Sequence, residues 1–201
     1  MKNKKLIAII TVCIVAVISC SIVAGAFFTA NDSSVNEFTV ADPKVTVEET
    51  PKDGPYEWSA DGKHVSLRND STNLNGYVRA MIFPILKNAD GNTQNIGTSG
   101  FSNPSGNTVT FGDFVFTLAS DWSKNWVYKN GYFYYKSELA PGQSTSLLLR
   151  GVTLKGTADK TKYADITVNI EVSADIIQKE ALIKDNAWSD VKITNGQLAL
   201  R

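Results

Sequence analysis

Beyond residue 20 the chain contains no cysteine; Cys13 and Cys20 are the only two, and both lie in its opening stretch. That excludes a disulfide framework and a thiolate-ligated zinc site from everything that follows. Histidine is nearly absent as well, with His64 alone among 201 residues. A multi-histidine metal centre or a Cys–His catalytic pair therefore lacks its raw material. An excess of either charge is missing too, because 20 Lys and Arg balance 20 Asp and Glu. A neutral chain is no nucleic-acid binder of the usual basic kind, and no nucleic-acid partner is expected. The sequence has no His-Glu-x-x-His string and no Gly-x-Ser-x-Gly elbow. Gly97-Thr98-Ser99-Gly100 is not followed by lysine and opens no helix, so it is no phosphate loop.

What is present begins with a leader. Lys2, Lys4 and Lys5 are the only charges before Asp32, and Leu6 to Phe28 is almost wholly apolar. A basic start, an apolar run and a small-residue end describe a secretory signal. Ala24-Gly25-Ala26 fits the small-x-small rule, which places cleavage between Ala26 and Phe27. Residues 1–26 are therefore read as a signal peptide. Two alternatives stay open. The apolar run is long enough to remain as a membrane span, with the folded part outside. Val17-Ile18-Ser19-Cys20 also resembles a lipobox, although the apolar stretch Ser21 to Phe28 is unlike the polar tether that follows an acylated cysteine. Contact with membrane is expected only through an uncleaved leader. Cleavage after Ala26 removes three lysines and no acid, leaving 17 basic and 20 acidic side chains.

The remaining stretch, about 175 residues, can bury roughly 70% of its unfolded surface without covalent staples. It reads as β nearly throughout. Tyr77 to Phe83 is rich in β-branched and aromatic residues. Val109, Phe111, Phe114 and Phe116 lie in another strand region, with Gly112-Asp113 as a bulge. Ile166, Val168, Ile170 and Val172 alternate with Thr167, Asn169 and Glu171, the clearest half-buried strand in the chain. Asn130-Gly131, between two aromatic runs, predicts a primed two-residue hairpin. The stretch from Gly91 to Gly106 is read as an exposed loop, and Asp175 to Ala187 as one short helix. Eight or so strands with turn-punctuated spacing predict an all-β fold over 41–201: an antiparallel β-sandwich of the jelly-roll or immunoglobulin sort, with one short C-terminal helix.

Candidate chemistry is thin. His64 has no second histidine or thiol to work with, and reads as a structural or surface residue. Asp113 and Asp121 are a carboxylate pair on paper, but each more naturally decorates a turn or strand edge. Trp122, Trp126, Tyr128, Tyr132, Phe133, Tyr134 and Tyr135 form an aromatic cluster. Exposed rings there would stack on sugars, whereas alternation along a hairpin would place about half of them in the core. The expectation is a protein that is not an enzyme and uses no cofactor or metal.

Four stretches, in order, give the chain a family likeness. They are Ala24 to Asp32 leading into Asn36 to Ala41; Leu67-Arg68-Asn69-Asp70-Ser71 with Gly76-Tyr77-Val78-Arg79-Ala80; Asn125 to Lys136 running into Leu139 to Thr145; and Ile166 to Ala174 followed by Ala181 to Trp188. Their combination resembles the TasA/camelysin-like proteins, in particular the BsaA-like biofilm-matrix branch. The resemblance implies export through a SipW-type signal peptidase. It also implies a jelly-roll subunit secreted to the surface or matrix of a Gram-positive bacterium, where identical subunits join head-to-tail in fibres or pili alongside other matrix components. In that family the mature N-terminal segment completes the sheet of the next subunit. Here that donor segment would be 27–40, with Phe27, Phe28, Val35, Phe38 and Val40 as its apolar contacts. A short apolar segment of this kind can add to an open sheet edge through backbone pairing and alternate side-chain pockets. Two alternatives remain at this stage: a secreted carbohydrate-binding sandwich using the aromatic hairpin, or a camelysin-like cell-surface metalloprotease. The second lacks any recognisable metal-ligand set in the sequence.

Overall fold

The computed structural model describes residues 43–50, 59–94 and 100–201. The chain divides into two units, Met1–Val40 and Ala41–Arg201, and every described residue belongs to the second. That unit is an antiparallel β-sandwich. Its elements in order are β1 (Val45–Thr50), β2 (His64–Asn69), β3 (Tyr77–Lys87), β4 (Thr93–Gln94), β5 (Thr108–Phe111), β6 (Phe114–Leu118), α1 (Trp122–Asn125), β7 (Trp126–Lys129), β8 (Tyr132–Tyr135), β9 (Leu149–Leu154), β10 (Thr167–Ile177), α2 (Lys179–Lys184), β11 (Val191–Thr194) and β12 (Gln197–Leu200).

One sheet runs β1-β2-β9-β6-β5 and the other β10-β3-β8-β7, with β4 paired to β3 alone. β2 pairs with β9 and β3 with β8, while the chain crosses between the sheets from β2 to β3 and from β8 to β9. This nesting is the jelly-roll pattern, one of the two sandwich connectivities that the spacing of strands and turns left open.

Period-two alternation explains the layers. In β2 the residues Val65, Leu67 and Asn69 are buried while His64, Ser66 and Arg68 are not. In β6, Phe114, Phe116 and Leu118 point inward. These side chains meet Val78, Ala80 and Ile82 of β3 and Phe133 of β8 in one continuous core. Fully burying each large apolar side chain stabilises the fold by about 1.5–3 kcal/mol. Asn69 is the polar member of the buried β2 row, and its amide donates to the carbonyls of Leu74 and Leu139, 2.7 and 2.9 Å away. The first bond pins the β2–β3 connection, and the second ties it to the connection between β8 and β9.

Sheet connections follow the turn chemistry in part. Asn130 and Gly131 have φ of 52° and 87° and join β7 to β8 with Lys129 opposite Tyr132. Both positive angles are what a primed turn demands. Gly112 and Asp113, read from sequence as a bulge, instead form the two-residue turn between β5 and β6, because Phe111 lies directly opposite Phe114.

Three other boundaries differ from expectation. The stretch from Gly91 to Gly106 is not all loop: Thr93–Gln94 pairs with β3, and Phe101 bridges to Phe111. The helix expected over Asp175 to Ala187 is confined to Lys179–Lys184. Asp175, Ile176 and Ile177 continue β10 instead, opposite Arg79, Val78 and Tyr77, where β-branched side chains fit the pleated surface. A second short helix, α1, precedes the aromatic hairpin.

The C-terminal hairpin β11–β12 packs on the outer face of the second sheet. Trp188, Val191, Leu198 and Leu182 of α2 bury Tyr77 and Tyr134 there. The Tyr77 hydroxyl donates to the carbonyl of Gly196 at 2.8 Å.

Candidate functional site

The residues singled out from sequence for processing and assembly, Ala26, Phe27, Phe28, Val35, Phe38 and Val40, all lie outside the described residues. The described domain does contain a surface with the geometry to receive a strand.

That surface is β10. Its eleven residues pair antiparallel with β3 from Thr167 opposite Lys87 to Ile177 opposite Tyr77, with no register break. The direction of its outward backbone groups follows from β3. Gly76 and Leu139 exchange two hydrogen bonds, so Gly76 presents its N–H and C=O toward the β8 side of β3. Backbone direction alternates along a strand, so even-numbered β3 residues face β8 and odd-numbered ones face β10. Pro84 agrees: it has no N–H, and as an even residue it needs none toward β10. The odd residues of β10 therefore bond to β3, and Ile170, Val172, Ala174 and Ile176 direct N–H and C=O to the other side. No described strand pairs with β10 along that side.

The same four residues turn their side chains toward the core, yet only Ile170 is buried. Val172, Ala174 and Ile176 pack against the core and stay partly open. Across the sandwich lies β1, the edge of the other sheet, with Val45 and Val47 similarly half covered. β1 and β10 thus flank an apolar seam along one side of the domain.

Edge strands are usually blunted by shortness, lysine, proline, a bulge or an inward charge. β1 follows that rule: Glu49 points inward beside Val65 and binds Nζ of buried Lys63 at 2.9 Å. β5 and β7 follow it by being four residues each. β10 has none of these devices.

The other sequence candidates resolve into structural roles. His64 Nε2 lies 2.9 Å from Asp61, and the same carboxylate oxygen accepts from Arg150 Nε at 2.9 Å. These contacts, His64 first, hold the Asp61 carboxyl below its ordinary value. Asp113 and Asp121 lie beyond opposite ends of the five-residue strand β6, about 17 Å of extended chain, so they do not form a hydrolytic pair. Asp113 instead accepts from the Tyr163 hydroxyl at 2.9 Å. Burial first, and this carboxylate second, push the Tyr163 phenol up to about 12. Among the described residues no three His, Asp, Glu or Cys side chains gather as a metal could require. Among them no helix is long and apolar enough to cross a membrane.

The aromatic cluster is divided by the alternation of its hairpin. Trp126 and Phe133 are buried in the core, with Tyr128 and Tyr135 packed against it. Their rings meet as pairs, Trp126 with Tyr135 at 5.0 Å and Tyr128 with Phe133 at 4.8 Å between centroids. Tyr132 and Tyr134 face the C-terminal hairpin.

Sequence reasoning overlooked a cavity of about 580 Å³ beside the hairpin tip, lined by Met81, Phe83, Phe101, Phe111, Tyr128 and Asn130 among others. Its rings come from three separated stretches of chain, so no local motif announces it. Comparison with protein-family models, with curated proteins and with solved structures returned no match to this chain.

Proposed function

We propose that this protein is a secreted structural subunit, a member of the TasA/camelysin-like group it resembles, that polymerises by donor-strand exchange into extracellular biofilm-matrix fibres or pili. The observation that carries the reading is β10, a long edge strand among the described residues, without lysine, proline or a bulge and with a half-covered apolar row beneath it. Such an edge is a template for another strand. The segment 27–40 has the matching character, with Phe27, Phe28, Val35, Phe38 and Val40 set among polar residues and no cysteine or proline. Each incoming strand would gain backbone bonds to Ile170, Val172, Ala174 and Ile176 and bury apolar side chains over the seam. A donor at one end and an acceptor on another face make a heterologous contact, which propagates as a filament rather than closing as a dimer.

Export follows from the leader. A SipW-type peptidase would cut after Ala26 and free Phe27 as the first residue of the donor. In this role the protein needs no catalytic residue, metal or cofactor, and its partners are identical subunits and other matrix components.

Deleting Phe27 to Val35 tests the proposal. The shortened protein is expected to stay folded and monomeric by circular dichroism and sedimentation, and to form no fibres in negative stain. Normal fibres from the deletion would rule out donation by this segment. Loss of folding would assign the segment to its own subunit.

A further inference from the structure

The cavity beside the β7–β8 hairpin has a chemistry of its own. β3 is paired with β8 only at Arg79 and Ala80, and with β4 only at Leu86 and Lys87. Between these contacts no described strand lies beside β3 on that side, and Pro84 sits in this interval, where a missing N–H costs no ladder bond. The cavity opens at this interruption. Met81 and Phe83 line it from β3, Phe101 and Phe111 from the edge of the other sheet, and Tyr128 with the Asn130-Gly131 turn from the hairpin.

Three properties define what fits. Its volume of about 580 Å³ is in the range of small-ligand sites, roughly 300–1,000 Å³. Four aromatic side chains line it, with Phe101 and Phe111 inclined at 60° and 4.9 Å between centroids. Its polar side chains are amides and one phenol: Asn103, which is exposed, Asn130 and Tyr128, with Gly100 and Gly131 adding main-chain groups. No lysine, arginine, aspartate or glutamate is among the described residues of its lining.

Together these properties describe a particular ligand. Apolar ring faces need a ligand with an apolar face. Amides, which both donate and accept, suit hydroxyls. The lack of a cation leaves phosphate, sulfate and carboxylate groups without a counter-charge. We propose that this cavity binds a neutral saccharide of one or two rings, its C–H face stacked on Phe83, Phe101 or Tyr128 and its hydroxyls bonded to Asn103 and Asn130. The site lies apart from the β1–β10 seam in sequence and in lining residues, and stands whether or not the subunit polymerises. In a fibre it would repeat once per subunit, so that weak individual sites act together on a polysaccharide.

Isothermal titration of the full chain, processed by its host, tests this with three probes: a β-linked glucose disaccharide, an N-acetylglucosamine disaccharide and a glucuronic acid disaccharide. At least one neutral sugar is expected to saturate with Kd of roughly 1 mM or below, and the acidic one to bind at least about tenfold more weakly. Phe83→Ala is expected to weaken the neutral sugar by about tenfold, the loss of one stacking ring. Asn103→Ala, at an exposed position, should also weaken it, and supplies the same readout if Phe83→Ala does not fold. Ile183→Ala, on α2 and outside the lining, should leave binding unchanged. The proposal is overturned if neither neutral sugar binds at about 10 mM, or if binding is indifferent to the variants at Phe83 and Asn103. It is equally overturned if an apolar dye occupies the cavity and no neutral sugar displaces it.

Discussion

The guanidinium of Arg79 lies 4.1 Å from the ring centroid of Tyr132. Trp188 covers the same group at 4.9 Å, and Asp175 accepts its Nη2 at 2.8 Å. One side chain thus ties β3 to β8, to the edge strand β10 and to the segment before the C-terminal hairpin. Arginine suits this place because a planar cation can stack and make an ion pair at once. Arg79→Ala is expected to lower stability by about 1–2 kcal/mol, read from urea unfolding. Arg79→Lys should restore only part of that, because an ammonium keeps the charge but loses the planar stack.

Gly151 in β9 marks a backbone crossing. A Cβ there would overlap the carbonyl oxygen of Ser59 and sit 2.5 Å from Ala60 C and 2.7 Å from Asp61 N. All three are main-chain atoms and cannot rotate away. Gly151→Ala should therefore cost about 3 kcal/mol, whereas Gly156→Ala, which meets nothing within 4 Å, should stay within about 0.5 kcal/mol. Thermal unfolding of the two variants side by side separates crowding from loss of chain flexibility.

Acid should loosen the β1–β2 end. Arg68 first, then Thr46, hold the Asp70 carboxyl below its ordinary value of 3.8. A carboxyl whose folded pKa is depressed contributes stability above its unfolded value and loses it as pH falls through the folded one. The melting temperature is expected to drop below about pH 4, and Asp70→Asn should flatten that drop while lowering the neutral-pH value.

The edge itself can be blocked without touching the β3 ladder. Ala174 is an even residue of β10, so its N–H points away from β3. Ala174→Pro removes that outward donor and places a ring on the edge. The variant is expected to keep its fold, within about 1 kcal/mol, and to fail to assemble in negative-stain images. Fibres of normal length from it would contradict an acceptor role for β10.

Much of this architecture was legible because two signals are local. Alternation gave β10 its inward face, and Asn130-Gly131 gave the hairpin its turn. What escaped depended on distant partners. Ile176 and Ile177 have a plausible helical neighbourhood in sequence, and only their pairing with Val78 and Tyr77 makes them strand. α1 is four residues long, too short to show a helical period. The β11–β12 hairpin went unread even though Asn195-Gly196 repeats the turn signal of Asn130-Gly131, with φ of 52° and 76°. Phe83, Phe101 and Phe111 each read as ordinary strand residues, and only the interrupted pairing of β3 brings them around a cavity.

The most direct test of strand exchange uses the absence of cysteine after residue 20. Cysteines introduced singly at Val35, Asn36 and Glu37 are each combined with Ser173→Cys, whose side chain is exposed on β10. Directly opposed residues of an antiparallel pair lie about 4.5–5.5 Å apart, close enough for a disulfide in the matching register. After oxidation and boiling in detergent without reductant, at least one pair is expected to run as a ladder of dimers and higher multimers that collapses to monomer when reduced. A crosslinked monomer in place of the ladder, or no crosslink in any register, would contradict donation of the 27–40 segment to the β10 edge of a neighbouring subunit.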